Sequence, residues 1–187
     1  MPYENIIDLR PAFRAATETA AAAAMAVEIS GLLRSREMDL LAEALHRVKK
    51  STSVAEAACR EVVLQHQSES LARNFTADFK LVRMAATGVF PAWEQDMRAV
   101  LENHVAQRIV QTPDMGFKAL RELTDAAPPL RECLKQGISR GVLSLCHNGE
   151  AAKFRVFLRM LDAHMPELLP VVQESLMTVS RARGVAP

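Results

Sequence analysis

The segment LSLCHNGEAAKFRVFLRMLDAH, residues 143–164, sets Cys146 beside His147 and follows them with Asn148-Gly149. A cysteine nucleophile needs a base within hydrogen-bond reach and a third group that orients the base. Consecutive helical residues point about 100° apart, so Cys146 and His147 do not face each other. Cys146 follows Leu145 and lies four residues after Val142, on an apolar side where a free cysteine acts as a small hydrophobe. His147 suits the negative end of a helix, and Asn-Gly accepts the left-handed conformation that ends one. The segment therefore reads as the hinge of a helical hairpin. No catalytic residue is assigned, and His147 and Asn148 become the tip offered to a protein partner.

The other reactive residue types are equally dispersed. The histidines are His46, His66, His104, His147 and His164, none three or four residues from another. There is no CxxC or HExxH, so no metal ligand and no cofactor is expected. GVFPAWEQ lacks the Lys-Ser/Thr that a phosphate-binding loop needs. Basic clusters at residues 46–50 and 181–183 fall at expected helix ends, where they are solvated and suit the dipole. With a formal net charge of +1 and few aromatics, nucleic acid is a disfavoured partner. Phe90 and Trp93 flank Pro91 at a loop-to-helix junction. Buried, they anchor the chain; exposed, they form a binding hot spot.

What positions these residues is helical throughout. A first helix is expected from about Asp8 to Arg34, with Pro11 in its first turn. Leu41, Ala44, Leu45 and Val48 keep helical period in a second. Ser53 and Glu56 match a capping box opening a third, which should end near His66. Phe75, Phe79, Val82 and Ala86 mark a fourth, breaking at Gly88; Pro91 opens a fifth that carries Met97, Leu101, Val105 and Ile109. Thr112-Pro113 should start a sixth, and Pro128-Pro129 should separate it from a seventh. Gly137 is expected to end the seventh and Asn148-Gly149 the eighth. Phe154, Phe157, Leu158 and Leu161 give the sharpest stripe, a ninth helix, and Pro166 starts the last. Period-two alternation is absent, so the expected class is all-α.

Two architectures fit: stacked antiparallel helical hairpins of degenerate repeat character, or a compact irregular bundle. The segments VLENH, CLKQG and MLDAH carry leucines 33 and 27 residues apart, at Leu101, Leu134 and Leu161. LSLCHNGEAAKFRVFLRML resembles the helix, Asn-Gly turn and second helix of ankyrin repeats. MAATG before Trp93 is similar to that family's first-helix ending. The family's Thr-Pro-Leu-His signature is missing, and a fixed period is not kept. The resemblance spans residues 37–165 and implies a protein-binding scaffold without chemistry.

At 187 residues, 49% of them hydrophobic and 24% charged, the chain has the composition of a globular protein. The expectation is a single helical domain over 1–187: an N-terminal helix to 36, hairpins over 37–165, a capping helix over 166–180 and a flexible tail over 181–187. Three cysteines without short paired spacing fit a reducing compartment, hence a cytoplasmic setting. MPYENIIDLR lacks the apolar core of a secretory signal, and no run of about 18 apolar residues reads as a membrane span. Export into a host cell by a specialised system stays open. The expected function is a non-enzymatic protein-protein interaction module, regulatory or effector-like. The alternative is a helical enzyme or small-ligand binder whose site is assembled from scattered residues.

Overall fold

The computed structural model describes residues 10–112 and 117–182. Among them are nine α-helices, two 3-10 turns and no strand. The helices are α1 (Arg10–Ser35), α2 (Met38–Lys49), α3 (Ser53–Ala72), α4 (Thr76–Val89), α5 (Glu94–Gln111), α6 (Phe117–Ala126), α7 (Leu130–His147), α8 (Ala151–His164) and α9 (Leu169–Ala182). The 3-10 turns, Pro91–Trp93 and Pro166–Leu168, lead into α5 and α9. The all-α class is as the periodicity predicts. Asp8, Pro113 and tail residues 183–187 lie outside the described residues.

The chain divides into two compact units, and the division falls within α3 and α4. The first unit comprises Met1–His66 and Met84–Trp93. Here α1 packs on α2 through Ile29 and Leu33 of α1 and the predicted stripe Leu41, Ala44, Leu45 and Val48 of α2, all buried. Arg36 takes φ 60° between them, and Glu37 N–H closes on Leu32 O at 3.2 Å, a Schellman ending. At the far end of α2, Lys49 Nζ donates to Val89 O at 2.9 Å.

The cap of α3 is displaced by one residue from the expected Ser53. Thr52 Oγ1 accepts from Ala55 N–H at 3.3 Å. Glu56 is then one position too late for a capping box, and its carboxylate accepts from Trp93 Nε1 at 3.4 Å instead.

The second unit comprises Gln67–Arg83 and Glu94–Pro187. The expected end of α3 at His66 is corrected to Ala72, where Asn74 at φ 58° makes the turn. The extra turns bury polar residues, which hid them from a search for apolar period. Gln67 Nε2 donates to Phe79 O at 3.1 Å, and Ser70 Oγ donates to Asp78 Oδ2 at 2.5 Å.

A larger correction concerns the seventh and eighth expected helices, which are one, α7. Gly137 and Gly141 do not end it. They lie one turn apart on the face that meets α5. A Cβ on Gly137 would stand 2.7 Å from Val105 Cβ and 2.8 Å from Glu102 O; one on Gly141 would stand 2.8 Å from Ile109 Cβ. The missing side chains let the two helices approach closely, which offsets the cost of glycine inside a helix. α7 also packs on α6, α8 and α9. Phe157 and Leu161 of α8 are fully buried, while Phe154 and Leu158 pack partly buried on the same core.

Candidate functional site

The hairpin tip is built as its sequence predicts. Gly149 takes φ 69°, and Glu150 N–H reaches back to Leu145 O at 3.0 Å, closing a Schellman motif between α7 and α8. Asn148 N–H bonds Ser144 O at 3.0 Å. His147 and Asn148 are exposed at this tip, and Cys146 packs half-buried on the core.

Phe90 and Trp93 belong to the other unit. Their rings stack with centroids 4.3 Å apart and planes 4° apart. They are 6% and 2% exposed, so they anchor the junction and face each other rather than solvent. Of the four candidate partner contacts, the structure brings together Phe90 with Trp93 and, separately, His147 with Asn148.

The remaining thiols are unsuited to nucleophilic work. Burial pushes Cys59 up to about 11, with Glu28 adding to the shift. Burial also raises Cys133, against the opposing Arg98 guanidinium. A raised pKa leaves little thiolate at neutral pH. Among the described residues no three His, Cys, Asp or Glu side chains are grouped to hold a metal, and no helix is long and apolar enough to cross a membrane.

Two solvent-facing clefts lie wholly within the second unit. One, of about 410 Å³, runs between α7 and α9. Several of its polar groups are paired: Ser175 Oγ donates to Val171 O at 2.8 Å and lies 2.9 Å from Ser139 Oγ. Lys135 Nζ sits 3.3 Å from Glu132 Oε2.

The other cleft, of about 340 Å³, lies along the outer face of α5 against Ser68 and Ala72 of α3. Two ridges of α5 line it, each stepping four residues at a time. Val100, His104 and Arg108 form one; Asn103, Gln107 and Gln111 form the other. Among the described residues no carboxylate lines it. Nε of Arg108 is sealed from solvent and has no hydrogen-bond partner among the described residues. The Nε atoms of Arg83 and Arg98 are sealed too, but both guanidiniums pair with Glu94, at 2.5 and 3.8 Å. Arg108 has no such acid among the described residues. Burial, helped by the Arg108 charge, lowers His104 to about 4, so the imidazole is neutral at physiological pH.

This cleft was missed in the sequence because its other wall, Ser68 and Ala72, belongs to the turns of α3 beyond the expected end at His66, while His104 lies in the middle of α5. The usable signal was the amide ladder at 103, 107 and 111. Of the three leucine-bearing segments, VLENH and CLKQG fall inside α5 and α7, and MLDAH closes α8.

A third feature is the outward face of α1. Ala22, Ile29 and Leu33 turn inward and are buried, but Phe13 and Val27 are 71% and 69% exposed. Between them Ala16, Ala20, Ala23 and Ala24 are also exposed, so the stripe from 13 to 27 carries no charge.

Comparison of the chain with protein-family models, curated proteins and solved structures finds no match.

Proposed function

We propose that this protein is a non-catalytic helical module that binds a protein partner, with a regulatory or scaffolding role. The observation that carries the reading is the uncharged outward face of α1, with Phe13 and Val27 at its ends. Large exposed apolar side chains arranged at helical period mark surfaces that other molecules cover. The alanines between them let a partner helix approach closely. The exposed hairpin tip at His147 and Asn148 offers a second, polar contact. The α7–Asn148-Gly149–α8 hairpin supports an ankyrin-like organisation in that part of the chain. Buried, high-pKa thiols at Cys59 and Cys133 favour binding over thiol chemistry, and three thiols without a disulfide fit a reducing, cytoplasmic setting.

The test places a photo-crosslinking residue at Ala20 in the full chain, expressed in its native cell, with a matched probe at exposed Glu122 as control. The reading requires a protein crosslinked from Ala20 and absent from the Glu122 control. Phe13→Asp combined with Val27→Asp should remove that crosslink and leave the melting curve unchanged. Identical crosslink patterns from both positions would sink the reading.

A further inference from the structure

The cleft on α5 holds a guanidinium whose inner nitrogen is sealed with no acceptor among the described residues. A buried donor without a partner costs free energy that an unseen acceptor would recover. Two described acids that adjoin lining residues in sequence are engaged elsewhere. Glu102 pairs with Arg140 at 3.2 Å, and Glu69 with Arg73 at 3.8 Å. Among the described residues, Arg108 is thus a cation of this cleft without a paired acid, surrounded by the neutral hydrogen-bonding side chains of Asn103, Gln107, Gln111 and Ser68.

We propose that this cleft binds a small monocarboxylate, its carboxylate held by Arg108 and its uncharged polar body hydrogen-bonded by Asn103, Gln107 and His104. Guanidinium binds a carboxylate through two parallel N–H donors, and such charge-assisted pairs are about twice as strong as neutral ones. The charge count selects the ligand class. A phosphate dianion calls for a second positive charge, and His104, at about 4, does not supply it near neutral pH. The amide ladder offers donors and acceptors on successive turns, which suits an amide or hydroxyl beside the carboxylate. The site is independent of the α1 face, so either reading can fail without the other.

The experiment follows backbone amide shifts of the full chain by NMR during titration with N-acetylglycine, N-acetylglycinamide and inorganic phosphate. A fragment of this size should bind with a Kd on the order of 1 mM. Saturable shifts with N-acetylglycine are expected at residues 68–72 and 100–111. The uncharged amide should give none, and phosphate should bind more weakly than N-acetylglycine. Arg108→Gln should weaken binding by about tenfold or more, while Arg159→Gln on the exposed side of α8 should leave it unchanged. If Arg108→Gln does not fold, protection of Arg108 from phenylglyoxal by N-acetylglycine gives the same answer on the native chain. Shifts that rise without saturating, an equal response to the amide, tighter binding of phosphate, or no loss on removing Arg108 would each overturn the proposal.

Discussion

Gly137 of α7 lies so close to Val105 of α5 that a β-carbon added to the glycine would stand 2.7 Å from the valine Cβ. Real β-carbons do not approach that closely, and backbone oxygen of Glu102 at 2.8 Å blocks the other way out. The contact explains why a residue that usually ends helices sits inside one.

Gly137→Ala should therefore destabilise the protein by about 1–3 kcal/mol, the cost of overpacking a close helix contact. Gly31→Ala makes the contrast. Gly31 is inside α1 with nothing within 4 Å of its added Cβ, so alanine there should stabilise by roughly 0.5–1 kcal/mol through lower backbone entropy in the unfolded chain. Urea midpoints of the two variants should move in opposite directions. Stabilisation in both would mean that α5 and α7 do not approach so closely, and destabilisation in both would mean that Gly31 is not in open space.

Phe157 is fully buried on α8, with its ring centroid 6.0 Å from that of Phe117. Phe157→Ala should cost about 3–5 kcal/mol. Phe154→Ala should cost less, because Phe154 packs only partly buried on the same core. Denaturant melts that rank them the other way would reverse the assignment of the inner face.

These outcomes bear on how much the sequence discloses. Helices whose inner face is wholly apolar were legible: α2 through Leu41, Ala44, Leu45 and Val48, and α8 through Phe157 and Leu161. The end of α3 was not, because its last turns bury Gln67 and Ser70, whose partners Phe79 O and Asp78 lie on the next helix. The unity of α7 was hidden because a glycine that ends a helix and one that admits a neighbour look alike in one dimension. The α5 cleft was half legible. Its ladder of amides is local, but the sealing of Arg108 Nε depends on tertiary packing.

The three cysteines should separate by access. Cys59 and Cys133 are buried with raised pKa values, whereas Cys146 is half-buried near the end of α7. A maleimide added to the native protein at neutral pH should modify Cys146 first, and the other two only as the protein opens. Cys146→Ala should cost about 1 kcal/mol or slightly more and leave crosslinking from Ala20 intact. Loss of that crosslink in a folded Cys146→Ala protein would give the thiol a direct role in binding.

His104 makes stability depend on pH in a stated direction. Its pKa is about 4 in the folded protein, below the ordinary 6.5, chiefly because burial disfavours the imidazolium and secondly because Arg108 repels it. Between those two values the unfolded chain binds more protons than the folded one, so acid favours unfolding. The contribution of neutral His104 is complete above pH 6.5 and is lost as pH falls from there toward 4. The two values bound the loss at about 3 kcal/mol, and partial exposure of the ring reduces it to roughly 1–2 kcal/mol. Urea midpoints measured at pH 7 and pH 4.5 should differ more in the native protein than in His104→Gln, where this proton is absent. Adding N-acetylglycine should shrink that difference. A carboxylate beside Arg108 would offset the repulsion, raise His104 toward its ordinary value and narrow the pH dependence. Equal pH sensitivity in the native and His104→Gln proteins would show that His104 is solvated in both states.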